Sequence, residues 1–192
     1  QQDKPVPVIA DTTLSKLLKA CSGKTLADRR DAAMFRVLID CGLRVSELCG
    51  MTLEGLDMDQ GMLMVTGKGR KIRPVYFSSR TGQALDRYVR VRATSRHANH
   101  PSLWLGERGP FTPDGVRERL NVRCAMAGIE HINPHRFRHT FAHDYLANGG
   151  QERSLMRLAG WSSSEMLSRY GASAADARAA AEARRLGRGN RI

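Results

Sequence analysis

The sequence predicts an α+β fold that is mainly α-helical and contains one small antiparallel β-sheet. Over most of the chain the apolar residues recur three or four positions apart, which is typical of amphipathic helices. Between residues 56 and 77 this pattern gives way to short apolar runs separated by glycine-containing turns, as expected for paired strands. A length of 192 residues suits one compact domain with its own core.

Local signals place these elements along the chain. Gly42 stands where a helix should end, and the pairs Thr112-Pro113 and Asn133-Pro134 each put a capping residue before a proline at the first helical position. The expected strands lie within LDMD, MLMVTG and KIRPVYF. The expected helices are, in chain order, about 11–21, 25–41, 43–51, 79–94, one opening at residue 112, then about 133–148, 151–159, 163–170 and 173–186.

The composition indicates a polyanionic partner. The chain carries 31 Lys and Arg against 19 Asp and Glu, a formal net charge of +12, and nucleic acid is the polyanion that such a balance most often serves. No apolar run approaches the length of about 20 residues that a membrane span needs, so we expect a cytoplasmic protein without a membrane partner. The four cysteines form no C-x-x-C pair, and we expect reduced thiols.

The segment NPHRFRH predicts an anion site at a helix start. His135 and Arg138 are three residues apart and share one helix face, and helix N-termini favour anions. His135, His139 and His143 also have the spacing of metal ligands. We do not interpret them as a metal site, because Arg136 replaces the glutamate of the zinc-protease motif and neighbouring arginines repel a dication.

Two further segments carry basic residues in informative positions. In GLRVSEL, Arg44 lies at the start of a helix and Glu47 can hold it in place, although an isolated pair of this kind is usually a surface salt bridge. In VTGKGRKIRPV, Lys68 lies between two glycines at a hairpin tip that could enter a DNA groove. The candidate DNA-binding residues of this hairpin are Arg70, Lys71 and Arg73.

The segment GWSSSEMLSRYG places Tyr170 near the end of a short helix that Gly171 is expected to terminate, with Trp161 nine positions upstream. A tyrosine at such a position is more often a core residue than a nucleophile. A phenol becomes an effective nucleophile only with neighbouring cations or a base.

Taken together, these segments resemble the tyrosine recombinase (phage integrase) family. The first family box, G-L-R-x-x-E-L, corresponds to residues 42–48, and the second box, H-x-L-R-H-T-F-A, to residues 135–142. Lys68 corresponds to the hairpin lysine, and Tyr170 to the closing tyrosine. The departures are Phe137 and Ala159, each in place of Leu, and Trp161 in place of the more frequent His.

This resemblance implies the catalytic-domain fold of the family and a reaction without metal or nucleotide cofactor. Tyr170 would attack a DNA phosphodiester while Arg44 and Arg138 bind the non-bridging oxygens. His135 would act as a base or acid, Trp161 would bond a phosphate oxygen, and Lys68 would protonate the leaving oxygen. Glu47 and His139 would support these residues.

The resemblance also implies a domain organisation and partners. Residues 1–172 would form the catalytic domain and residues 173–192 a tail helix with a basic end that joins subunits. The N-terminal core-binding domain that the family usually has would be absent from this stretch. Double-stranded DNA with attachment sites is the expected partner. The protein would be a monomer when free and a homotetramer on DNA, with directionality or host bending factors as further partners.

Three alternatives to a phage integrase remain open at this stage. A Xer-type resolvase uses the same boxes, and Trp161 in place of His favours the integrase over it. A type IB topoisomerase uses a similar set of residues to relax DNA. A relative that binds DNA without catalysis is less consistent with a full set of six catalytic positions.

Overall fold

The computed structural model describes residues 8–163, 165–187 and 189. None of the helices in these ranges has the length and apolarity of a membrane span. The strands are β1 (Leu56–Asp57), β2 (Met62–Thr66), β3 (Ile72–Tyr76), β4 (Leu105–Gly106) and β5 (Gly109–Pro110). The helices are α1 (Asp11–Lys19), α2 (Leu26–Cys41), α3 (Val45–Cys49), α4 (Ser79–Arg92), α5 (Pro113–Ala127), α6 (Pro134–Ala147), α7 (Glu152–Ala159) and α8 (Glu165–Leu186).

The expected helix signals act where the sequence places them. Gly42 follows α2 in the left-handed conformation, with φ of 57°, so α2 ends there. Thr112 accepts a hydrogen bond from the backbone of the first turn of α5, and Asn133 does the same for α6. Pro113 and Pro134 occupy the first helical positions, where a missing N–H costs nothing.

The larger sheet has the order β1-β2-β3 and is antiparallel throughout. In the register of β2 and β3, Leu63 pairs with Val75 and Val65 pairs with Arg73. Because side chains alternate along a strand, these four share the face that packs on the helices. The loop between α4 and α5 contains a second sheet, a two-stranded antiparallel hairpin of β4 and β5.

The main core lies between the helices of the first two thirds of the chain. Phe35 and Leu38 of α2 and Tyr88 of α4 are fully buried there, and the ring of Tyr88 stacks on Trp104 with 5.3 Å between centroids. A second apolar cluster joins α6, α7 and α8 through Ala142, Leu146, Leu155 and Leu167. Helices α7 and α8 therefore pack together on α6.

Several arginines lie inside the fold. Asp31 of α2 is fully buried and accepts hydrogen bonds from Arg30, Arg119 and Arg123 at 2.8 to 3.1 Å, which ties α5 to α2. Arg92 is also buried, and its guanidinium donates to backbone carbonyls of the loop after α4, including that of Leu103 at 3.0 Å. These side chains stabilise the scaffold.

All four cysteines have free thiols. Cys21, Cys41 and Cys124 are buried and Cys49 is partly buried. Burial raises the pKa of the Cys21 thiol to about 12 and that of Cys49 to about 11. At neutral pH these thiols are therefore protonated.

The end of the chain differs from the expectation of two short helices. Helix α8 continues from Glu165 through Gly171 to Leu186. A glycine inside a helix costs only about 1 kcal/mol relative to alanine. Many of the residues that follow are alanines, and alanine has the highest helix propensity of the amino acids. The helix therefore continues across the glycine instead of ending at it.

Candidate active site

The two arginines of the family boxes both lie close to one carboxylate, that of Glu47. Arg44 caps the start of α3, and its Nη1 lies 3.2 Å from Oε1 of Glu47. Arg138 is in the second turn of α6, and its Nη1 lies 4.0 Å from Oε2 of Glu47. Helices that are far apart in sequence thus bring two guanidinium groups together around Glu47.

Arg138 is held by backbone carbonyl groups. Its Nη1 donates to the carbonyl of Gly42 at 2.9 Å, and its Nη2 donates to that of Ala159 at 2.7 Å. Both carbonyls belong to helix ends, of α2 and α7, where cationic donors are favoured. The side chain is only 7% exposed, so its position is fixed by the fold.

Glu47 is the buried carboxylate at the centre of this site. Its Oε2 accepts from the backbone N–H of Arg44 at 3.0 Å, which closes the first turn of α3. Burial alone would raise the pKa of Glu47, but the hydrogen bonds from Arg73 and Arg44 and the nearby positive charges outweigh it, and the pKa is lowered. Glu47 is therefore ionised at neutral pH.

Arg73 departs from the expectation that it lies on a DNA-binding hairpin surface. Its side chain is only 13% exposed and faces inward. Its Nη1 and Nη2 donate to the two oxygens of Glu47 at 3.0 and 3.2 Å, and its Nε donates to the carbonyl of Leu158 at 2.9 Å. The sequence could have indicated this orientation. Side chains alternate between the two faces of a strand, and Arg73 is two residues from the buried Val75, so both lie on the same face of β3.

The tip of the β2–β3 hairpin carries the other basic residues. Lys68, Arg70 and Lys71 are all exposed, and residues 68–70 form a short 3-10 turn. Gly69 and Arg70 have positive φ, which makes this a tight reversal of the chain. The structure therefore presents the three cations outward, on the same hairpin that contains Arg73.

The remaining predicted residues lie around α6 and the start of α8. His135 is exposed in the first turn of α6, and its backbone N–H donates to the Asn133 side chain at 3.0 Å. His139 is partly buried one turn later. Trp161 is buried, with its ring centroid 5.3 Å from the Arg138 guanidinium carbon, which is a cation–π contact.

Tyr170 is the sixth residue of α8, which begins at Glu165. Its side chain lies outside the described part of the chain. The structure thus brings Arg44, Glu47 and Arg138 together, with Trp161 beside Arg138, and it leaves the side-chain geometry of Tyr170 as a prediction from sequence.

The charges of this cluster suit an anion. Three arginines, Arg44, Arg73 and Arg138, surround the single carboxylate of Glu47, so positive charge remains in excess. Arg44 is 39% exposed, so its guanidinium is accessible to a ligand. Within the described ranges, no three His, Cys, Asp or Glu side chains are grouped as metal ligands.

The helical scaffold with its small antiparallel sheet is the catalytic-domain fold of the tyrosine recombinases. The family model described as "Phage integrase family" matches residues 7–177. The chain belongs to this family.

Tyrosine recombinases are among the relatives of this chain. Tyrosine recombinase XerC of Leptospira interrogans is 42% identical over 140 residues, which are 72% of this chain and 45% of the relative. Tyrosine recombinase XerC of Bacillus licheniformis is 36% identical over 169 residues, 84% of this chain and 56% of the relative. The chain therefore spans about half the length of these relatives.

Solved structures show the same fold. The crystal structure of XerA recombinase matches 88% of this chain and 60% of its own chain, with a TM-score of 0.77 and 26% identity. The Tn1549 transposon integrase, solved with transposon right end DNA, matches 97% of this chain and 68% of its own, with a TM-score of 0.76 and 21% identity.

Proposed function

We propose that this chain is the catalytic part of a site-specific DNA recombinase, which cleaves and rejoins DNA through a 3′-phosphotyrosine intermediate. The observation that carries the proposal is the convergence of Arg44 and Arg138 on the buried carboxylate of Glu47. A pair of fixed guanidinium groups suits a phosphodiester whose negative charge grows as it is attacked.

The proposed reaction exchanges one phosphodiester for another. The phenolic oxygen of Tyr170 attacks the phosphorus and forms the 3′-phosphotyrosyl bond, while the bond to the 5′-oxygen breaks. Lys68 gives a proton to that leaving oxygen, and His135 receives or returns the proton of the tyrosine. Rejoining is the reverse attack by a 5′-hydroxyl, so the bond energy is conserved and neither a metal nor a nucleotide cofactor is required.

Features of the fold support the roles proposed for the other groups. Arg138 is rigidly held by two helix ends, so it presents its donors without reorganisation. Lys68 lies on an exposed hairpin tip that can close on the substrate. Trp161 supplies an indole N–H beside Arg138 for a phosphate oxygen.

The proposed partner is double-stranded DNA with a recombination site. The high positive charge of the chain supports this partner. The Tn1549 integrase was solved with transposon right end DNA, and XerH site-specific recombinase was solved bound to a palindromic difH substrate. We further propose a monomer in the absence of DNA and a homotetramer on it, acting in the cytoplasm, with directionality or host bending factors as additional partners. Residues 173–192 would join neighbouring subunits.

Two biological roles are compatible with this chemistry. Trp161 in the position of the more frequent His favours integration of a phage or viral genome. The XerC relatives favour a Xer-type role in resolving chromosome dimers. The DNA sequence that the chain cleaves distinguishes these roles, because integration requires an attachment site and resolution of chromosome dimers requires a resolution site.

Covalent trapping tests the proposal directly. The chain is incubated with a pool of duplexes of random sequence, each nicked so that the short strand released by cleavage diffuses away. We expect a protein–DNA adduct that survives denaturation, and sequencing its DNA identifies the site. Tyr170→Phe should bind the recovered duplex without forming an adduct, and an adduct from this variant would refute the assignment of the nucleophile.

A second assay distinguishes a recombinase from a type IB topoisomerase. The full-length protein that contains this chain is incubated with two DNAs that carry the recovered site. In a separate reaction it is incubated with a supercoiled plasmid that lacks the site. A recombinase joins the first pair and leaves the plasmid supercoiled. Relaxation of the plasmid without strand joining would favour the topoisomerase.

A further inference from the structure

Arg73 connects three separate segments of the candidate site. Its side chain leaves β3, donates to both oxygens of Glu47 in α3, and donates to the carbonyl of Leu158 in the last turn of α7. A guanidinium can make this forked contact and a third bond at once, whereas a lysine cannot. The hairpin is therefore fastened to the helices through one side chain that is largely buried.

The contact reaches the residue next to Lys68. A Cβ atom placed on Gly67 would lie 3.1 Å from Nη1 of Arg73 and 3.4 Å from Oε1 of Glu47. The backbone of Gly67 thus passes directly over the Arg73–Glu47 pair. The hairpin leaves this contact at Gly67, and the next residue is Lys68.

The same guanidinium supports the segment before Trp161. Leu158 and Ala159 have neighbouring carbonyls, and these accept from Arg73 at 2.9 Å and from Arg138 at 2.7 Å. Gly160 follows in the left-handed conformation, with φ of 66°, and a Cβ there would lie 2.9 Å from Cζ of Arg73. Arg73 and Arg138 therefore hold the end of α7 from two sides.

We propose that Arg73 is a positioning residue that fixes Lys68 relative to Arg44 and Arg138. This inference rests on the proposed function. Arg73 does not touch DNA in this proposal. It anchors the base of the hairpin on the Glu47 carboxylate, so the exposed tip that carries Lys68 starts from a fixed point. Without that anchor the hairpin keeps its strand pairing but loses its fixed distance to the arginines.

Two substrates of the same sequence separate this role from a general loss of structure. One is the duplex recovered by trapping, and the other carries sulfur in place of the leaving 5′-oxygen, so its thiolate leaves without a proton. The Lys68→Ala variant should cleave the oxygen substrate about 10²-fold more slowly than the wild type, in the range expected for loss of a general acid. It should cleave the sulfur substrate at nearly the wild-type rate.

Arg73→Ala should show the same signature to a smaller degree. We expect about tenfold slower cleavage of the oxygen substrate, as for a partly misplaced general acid, and near wild-type cleavage of the sulfur substrate. Arg73→Lys should fall between Arg73→Ala and the wild type, because it retains the charge but not the fork. This variant also keeps the test available if Arg73→Ala does not fold.

Arg123→Ala is the matched control. Arg123 is another buried arginine with two carboxylate partners, Asp28 and Asp31, and it belongs to the scaffold. Its removal should lower the thermal stability and leave the ratio of the two cleavage rates unchanged.

The outcomes separate the two proposals. Failure of the wild type to form any adduct contradicts the proposed function. If the wild type reacts, Arg73→Ala cleaving the oxygen substrate at the wild-type rate overturns the role of Arg73. An equal loss on both substrates also overturns it, since Arg73 would then act through the arginines rather than through Lys68.

Discussion

Gly42 and Phe141 are in direct contact, and the contact leaves no room for a side chain at Gly42. A Cβ atom on this glycine would lie 2.7 Å from Cγ of the Phe141 ring and 2.8 Å from its Cβ. Gly42 also has φ of 57°, and its carbonyl accepts from Arg138. The backbone at the end of α2 therefore packs against a ring in the third turn of α6, and its carbonyl holds Arg138 one turn earlier in the same helix.

Gly42→Ala should destabilise the protein more than a left-handed glycine elsewhere. The left-handed conformation alone costs an alanine about 1–2 kcal/mol, and the overlap with Phe141 adds to it. Gly128→Ala is the control, because Gly128 has φ of 62° but no atom within 4 Å of a built Cβ. Urea unfolding of both variants measures the difference, and equal losses would contradict the packing argument.

Arg44→Ala and Arg138→Ala should both reduce cleavage by about 10²-fold or more, as for loss of a preorganised donor to a developing anion. Their effects on stability should differ. Arg138 is 7% exposed and holds two helix ends, whereas Arg44 is 39% exposed. Thermal melts should show a clear fall in melting temperature for Arg138→Ala and a small one for Arg44→Ala. Near-normal cleavage by either variant would exclude the proposal that both arginines bind the phosphate.

Glu47 should make the stability of the protein depend on pH in the acid range. The folded pKa of Glu47 lies below its usual value of 4.5, so its contribution is fully present above about pH 4.5 and is lost as pH falls through the folded pKa. Glu47→Gln leaves buried arginines without their carboxylate and should cost about 3–5 kcal/mol at pH 7.

The difference in unfolding free energy between wild type and Glu47→Gln should shrink as the pH is lowered below 4.5. Glu54→Gln, at an exposed carboxylate, is the control and should change stability by less than about 0.5 kcal/mol at any pH. A Glu47→Gln penalty that does not vary with pH would show that the carboxylate is not the stabilising species.

Deleting residues 173–192 should affect strand exchange more than cleavage of a single site. Helix α8 packs on α6, and Arg178 lies 3.5 Å from Glu152 of α7, so part of the tail contacts its own chain. The deletion should therefore lower the melting temperature as well. Recombination of two sites at the normal rate by the truncated full-length protein would exclude an assembly role for the tail.

Features set by local chemistry could be predicted from the sequence. The caps at Thr112 and Asn133 and the left-handed Gly42 depend on a few neighbouring residues, and the structure contains all three. The pairing of Arg44 with Glu47 is equally local, since the two are three residues apart on α3. Such signals remain visible because the partners lie within one helical turn.

The features that the sequence did not indicate depend on distant partners. Arg73 was expected to face DNA because it lies in a run of basic residues, but Glu47 and Leu158 are contributed by other elements. The ion network of Asp31 joins α2 to α5 in the same way. The sequence pattern predicts two helices separated at Gly171, because that glycine is given more weight as a helix terminator than the alanines that follow it; the structure has one continuous helix, α8.

The buried arginines change how the positive charge of the chain should be counted. Arg30, Arg92 and Arg123 are buried within the scaffold, and Arg73 is nearly so, although all four contribute to the formal charge of +12. Binding to duplex DNA releases condensed counterions in proportion to the phosphates neutralised, about 0.9 per phosphate. Only cations that reach the phosphates of the DNA contribute to this release, so the salt dependence of binding reports those cations and not the total charge.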